Sequence, residues 1–209
     1  MLRLNFPTSR ILILIVCSLL LQAQSHAQPR GDEPASIGIL LDSSKSMLGT
    51  RKELVAALLT LVRSSNPQDE FFVVNFSDQP YLDQDFTTAY DLIERALEKP
   101  AAGRGTAFYD AVEYSSVHLR DAAKFNKRAL VVVSDGEDNE SHINSEKMLK
   151  ELQQPGGPVV YCIVLGDSGR HGSTILGKIA RKTSGNVYRI KKSTQVEEIA
   201  TQIAEQIRK

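Results

Sequence analysis

The sequence predicts an α/β domain built on a doubly wound, mostly parallel six-stranded sheet, with one antiparallel edge strand and helices on both faces. Three observations carry this. Five segments are continuous apolar runs rather than alternations, which suits strands covered on both faces of a parallel sheet. Between them lie stretches with apolar residues at helical spacing, and such strand–helix alternation winds a parallel sheet. A shorter strand follows the turn Ser77-Asp78-Gln79-Pro80 at hairpin spacing, so it runs antiparallel at the edge.

The first strand is 36–41, and Leu54, Leu58, Leu61 and Val62 mark the helix after it. The second strand is 70–76, with 81–86 as its hairpin partner. Leu92, Ala96 and Leu97 mark a short helix, and Phe108, Val112 and Leu119 a longer one. Strand 129–134 precedes a helix carrying Met148 and Leu152. Strand 159–165 precedes one carrying Leu176, Ile179 and Ala180, which Gly185 ends in a left-handed conformation. The last strand is 185–190. Val196, Ile199, Ala200, Ile203 and Ile207 form the stripe of the final helix, with Thr194 and Glu197 spaced as a capping box.

Residues 1–27 read as a signal peptide. Arg3 and Arg10 make a positive start, residues 11–21 an apolar run, and Ser25 and Ala27 the small residues before cleavage at Gln28. The run is shorter than the roughly 20 residues of a membrane-spanning helix. The expected location is secreted or periplasmic, with membrane attachment only if the leader stays uncleaved. Residues 28–33 form a short linker and 34–209 the folded domain. Without Cys17 in the leader, Cys162 stands alone in mid-strand as a small buried hydrophobe, so no internal disulfide forms. Basic and acidic residues balance at 25 each, and the leader removes two bases and no acid. No basic run suits nucleic acid or an acidic membrane.

The chemistry begins where the first strand ends, at Asp42-Ser43-Ser44-Lys45-Ser46. In an extended segment, residues two apart point the same way, so Asp42, Ser44 and Ser46 can converge. One carboxylate and two hydroxyls make half a shell for a small hard cation. Alone, the pattern is more often a turn, because Asp and Ser satisfy loop backbone. Lys45 and Ser43 point the other way, solvated or loop-stabilising. Two further segments add oxygen donors: Gly103-Arg104-Gly105-Thr106 before the long helix, and Ser134-Asp135-Gly136 after the apolar run 130–133. Glu137, Asp138 and Glu140 read as a solvated loop, and His142 as an exposed imidazole.

These three segments, in this order, resemble the von Willebrand factor type A (VWA) domain and its metal-ion-dependent adhesion site (MIDAS), most of all in bacterial secreted members. The resemblance spans roughly residues 34–207. It implies a Rossmann-like fold with strand order 3-2-1-4-5-6. It also implies a Mg²⁺ site, with Mn²⁺ as a substitute, formed by Asp42, Ser44, Ser46, Thr106 and Asp135. A metal with so few anionic ligands keeps enough charge to bind one more carboxylate. The implied partner is a protein presenting Asp or Glu, with no small-molecule substrate and no catalysis. A structural role for the metal is the alternative reading. A phosphatase-like enzyme is disfavoured, since Ser44 stands where haloacid-dehalogenase-type phosphatases place a second Asp. A serine hydrolase would want a G-x-S-x-G elbow, and the sequence has none.

Overall fold

The computed structural model describes residues 33–99, 103, 105–165, 170–190 and 195–209. The leader, most of the 28–33 linker, Arg104 and Thr194 lie outside the described residues, as does the side chain of Val196. The described residues belong to the unit Gly31–Lys209. Among them no helix is long and apolar enough to cross a membrane.

The strands are β1 (Ala35–Asp42), β2 (Glu70–Phe76), β3 (Pro80–Thr87), β4 (Lys127–Val133), β5 (Val159–Leu165) and β6 (Val187–Ile190). The helices are α1 (Arg51–Ser64), α2 (Tyr90–Leu97), α3 (Phe108–Ala122), α4 (Ser145–Leu152), α5 (Arg170–Lys182) and α6 (Val196–Arg208). One six-stranded sheet runs β3-β2-β1-β4-β5-β6. Only β3 is antiparallel, paired to β2 across an irregular register. The other pairings are parallel, so the chain needs a crossover between them, and helices supply it. This is the predicted Rossmann-like architecture and strand order.

Alternation along buried strands feeds two cores. Ile37, Ile39 and Leu41 of β1 join Phe71 and Val73 of β2 and Val131 and Val133 of β4 on one face. Leu54, Leu58 and Leu61 of α1, Ile93 of α2, and Ile203 and Ile207 of α6 cover them. On the other face, Leu40, Phe72, Val74, Leu130, Val132 and Cys162 pack under Phe108, Val112 and Leu119 of α3, Met148 of α4 and Leu176 of α5. Cys162 is fully buried and its thiol is pushed up to about 12 by that burial, so it is an inert core residue.

Four local expectations are corrected. Strand ends shift: β1 extends to Asp42, β4 covers Lys127–Val133, and β6 begins at Val187. Ala96 and Leu97 of α2 are buried as expected, but Ile93 rather than the half-buried Leu92 completes that face, at i, i+3, i+4 spacing. Ser184, not Gly185, takes the left-handed conformation after α5, at φ 59°. Gly185 is required for a different reason: a Cβ there would lie 1.9 Å from the Val160 carbonyl oxygen. Gln195 occupies the cap position of α6, one residue later than the capping box assumed.

Candidate metal centre

The strand order reverses between β1 and β4, and in open α/β sheets ligands bind beyond the strand ends at such a point. Leu41 pairs with Val133, so Asp42 and Ser134 leave the sheet side by side. Asp42 is 1% exposed. Its Oδ1 accepts from the Ser44 N–H at 2.9 Å, and its Oδ2 accepts from Ser134 Oγ at 2.8 Å. Asp135 repeats the arrangement: Oδ1 accepts from the Glu137 N–H at 3.0 Å, and Oδ2 from Ser46 Oγ at 3.0 Å. Each carboxylate closes a turn with one oxygen. The other oxygen reaches the loop of the neighbouring strand, so the two loops are cross-linked in both directions.

Ser44 Oγ and Ser46 Oγ lie 3.1 Å apart. They meet by a route that simple alternation does not describe. Ser44 is extended, but residues Lys45–Thr50 wind into a 3₁₀ helix, and its first turn brings Ser46 back. Ser44 is buried, Asp135 half-buried and Ser46 exposed, so the group runs from the interior to solvent. Ser43 is buried and hydrogen-bonded, and Lys45 is exposed.

Thr106 enters from the loop before α3. It is 6% exposed, and its main chain is locked to the loop after Asp135. Its N–H donates to Asn139 Oδ1 at 2.8 Å, and its carbonyl accepts from the N–H groups of Asn139 and Glu140 at 2.9 and 3.2 Å. The same loop caps α3, whose cap residue Ala107 has no side chain to do so. Asp138 Oδ1 accepts from the Tyr109 N–H at 3.2 Å, and Ser141 Oγ from the Asp110 N–H at 3.1 Å. Asp110 answers by accepting from the His142 and Ile143 N–H groups and from the His142 ring. Asp138 is therefore a helix cap rather than a solvated charge. Glu137 and Glu140 are exposed, and His142 is an exposed imidazole paired to Asp110. Asn139 and Ser141 were invisible from sequence, and the capping role of Asp138 was missed, because each serves an element about 30 residues away.

Burial presses on the Asp110 carboxyl, but the His142 and Ile143 hydrogen bonds outweigh it and hold the group below the usual range. A depressed carboxyl adds stability above its unfolded value of about 4 and loses it as pH falls toward the folded value. Asp110→Asn is expected to cost roughly 1 kcal/mol at pH 7, the scale of one weakened hydrogen bond. Urea unfolding from pH 7 down to pH 3 should show the difference from wild type shrinking as pH falls. A constant difference would remove the charge from the account.

The donor set fits a hard divalent cation. Burial lifts the Asp42 carboxyl above its ordinary range, and the nearby Asp135 charge adds to this against the Ser44 and Ser134 hydrogen bonds. A cation relieves such a carboxylate. Asp42, Ser44, Ser46 and Asp135 are brought into one connected group, and all are oxygen donors. Thr106 is not hydrogen-bonded into this group among the described residues; its main chain is bound to Asn139 and Glu140 in the loop that follows Asp135. Among the described residues, no three His, Cys, Asp or Glu side chains gather into a metal-binding group. The donors this group offers are two carboxylates and the hydroxyls of Ser44 and Ser46.

Residues 37–137 match the family model of the von Willebrand factor type A domain. No curated protein matches the chain. Many solved structures share its fold, among them the following three. The von Willebrand factor type A protein from Catenulispora acidiphila superposes with a TM-score of 0.70 at 16% identity, over 85% of this chain and 43% of that one. BatB from Bacteroides thetaiotaomicron gives 0.67 at 18% identity, over 83% of this chain and 98% of that one. Proximal thread matrix protein 1 from the mussel byssus, with a zinc-occupied MIDAS motif, gives 0.70 at 18% identity, over 85% and 46%. This chain thus spans less than half the length of the first and third. At such identities the likeness is one of fold.

Proposed function

We propose, from the von Willebrand factor type A domain that this chain carries, that it is a binding module that grips a protein partner through a divalent metal ion. Asp42, Ser44, Ser46, Thr106 and Asp135 would hold the ion, and Mg²⁺ or Mn²⁺ suits them better than Zn²⁺, since they offer neither sulfur nor imidazole. The ion would supply a positive centre for a carboxylate of the partner. The observation that carries this reading is the cross-linked pair of loops at the reversal of strand order, closed at Asp42 and open at Ser46 and Asp135. A metal that only stabilises the fold has no need of the open side.

The chain's own residues divide the work. Asp42 anchors the inner end and is kept from solvent. The Ser44 N–H and the Ser134 hydroxyl each bond one of its oxygens and so fix its orientation. Asp135 and Ser46 face the partner. Binding rather than catalysis follows from a site whose polar groups are all positioned as ligands and braces. A protein partner is in keeping with similar folds in a type V pilus tip protein and a byssus matrix protein.

The leader reading places this module outside the cytoplasm, with residues 1–27 removed and the domain at 34–209. Intact-mass measurement of exported protein should give a chain beginning at Gln28; a membrane-bound full-length chain would replace export by anchoring. Function is tested by affinity capture from the exporting cell's surface or periplasm, with Mg²⁺ and then with chelator. Capture should collapse with chelator and return with Mg²⁺. Thr106→Ala should weaken it by roughly tenfold to a hundredfold while the fold stays intact, the scale of one lost ligand or hydrogen-bonding group. Equal capture by wild type and Thr106→Ala under both conditions would leave the metal a structural role only.

A further inference from the structure

We infer that Arg51, the first residue of α1, is a positioning residue that sets the metal-binding loop against the end of α2; this rests on the metal reading above. The half-buried Arg51 guanidinium reaches four acceptors. Nη1 donates to Ser43 Oγ at 2.6 Å. Nη2 donates to Asn75 Oδ1 at 3.2 Å and to the carbonyls of Leu97 and Lys99 at 3.0 and 2.5 Å. Ser43 lies between Asp42 and Ser44. Leu97 and Lys99 close α2 and lead toward the segment that brings in Thr106. One planar fork therefore touches the loop of the first ligands and the entry to the loop of the fourth.

The acceptors are themselves braced. Asn75 is 5% exposed, and its amide donates to Asp83 Oδ2 at 2.6 Å and to the Ala96 carbonyl at 2.9 Å, which fixes its orientation. Asp83 in turn pairs with Lys99 Nζ at 2.6 Å. Ser43, Asn75, Asp83 and Lys99 also line a cleft of about 220 Å³ beside the metal loop. All four acceptors of Arg51 are neutral. Its positive charge close to a cation site is electrostatically unfavourable for the cation. Its contribution is therefore geometric, and a lysine, with one point of charge and no fork, cannot replace it.

These two roles give opposite signs. If Arg51 acts by position, Arg51→Lys and Arg51→Met weaken metal binding. If it acts only as a nearby charge, Arg51→Met tightens it. The test titrates Mn²⁺ alone into the full chain, followed by electron paramagnetic resonance, and compares melting temperatures in chelator. Both Arg51 variants should bind Mn²⁺ about tenfold more weakly, the scale of a lost charge-assisted hydrogen bond. Ser43→Ala should weaken it in the same direction, and adding it to Arg51→Lys should bring little further loss, since both cut one link. Affinities of the Arg51 variants within twofold of wild type, or tighter, overturn the proposal whatever happens to the melting temperature. If Arg51→Met does not fold, unchanged Mn²⁺ affinity in Ser43→Ala overturns it. Wild type that binds no Mn²⁺ at millimolar concentration removes the metal reading itself, an outcome distinct from a wild type that binds and variants that match it.

Discussion

Asp42→Asn is expected to reverse its effect on stability with the metal. In chelator the variant should be at least as stable as wild type. Burial and the Asp135 charge make an ionised Asp42 costly at neutral pH. Asparagine keeps an oxygen for the Ser44 N–H and presents an amide to the Ser134 hydroxyl, so the turn survives without the charge. In saturating Mg²⁺ the order inverts. A ligand at a hundred times its dissociation constant stabilises the folded chain by about 2.7 kcal/mol. For a domain of this size that is roughly 5–10 °C in melting temperature. Wild type should gain it, and Asp42→Asn and Asp42→Ala should not. Differential scanning calorimetry in chelator and in Mg²⁺ reads both halves. A Mg²⁺-induced rise in Asp42→Asn equal to that of wild type would take Asp42 out of the site.

Gly136→Ala should be among the most damaging single substitutions in the fold. Gly136 sits at φ 78°, and a Cβ there would lie 2.7 Å from the Gly172 carbonyl oxygen of α5. The obstacle is backbone, which cannot swing aside. Gly172 has the reciprocal constraint, since its own Cβ would meet the Asp135 carbonyl oxygen at 2.0 Å. The two glycines let the loop after β4 close on the start of α5. A left-handed alanine costs about 1–2 kcal/mol, and the clash should bring the total to roughly 3 kcal/mol. Urea unfolding should register it. Metal affinity should fall too, because the carboxylate of Asp135 is aimed by this turn. Full stability in Gly136→Ala would mean that the Gly136–Gly172 approach is not required.

The fold was legible because its strands are buried on both faces. β2 and β5 have the predicted bounds, and β1 is a run of buried residues from Ala35 to Asp42. The strand order came from the resemblance, since periodicity says nothing about which strands are neighbours. Of the site, Asp42, Ser44, Ser46 and Asp135 could be named because they follow strands directly, and the sheet brings strand ends together. What alternation could not show is that Ser46 reaches Ser44 through a 3₁₀ turn. The braces were hidden for a different reason. Asn139 holds Thr106 and Asp138 caps α3 across separations of about 30 residues, with no local pattern to mark them. Arg51 likewise carries no local pattern that marks its role. Its four acceptors come from three other elements, and only the folded chain assembles them. Ser184 shows the limit of residue-type rules: glycine was needed next door for close approach, and serine took the left-handed turn.

The central claim is that a hard divalent cation is held between the ends of β1 and β4. Crystals grown with Mn²⁺ and measured for anomalous scattering test it most directly. The account predicts one strong peak among Asp42, Ser44, Ser46 and Asp135, at oxygen distances of about 2.1 Å, with Thr106 beside it. No peak at that place, with Mn²⁺ in the crystal at millimolar concentration or bound elsewhere on the chain, would contradict it.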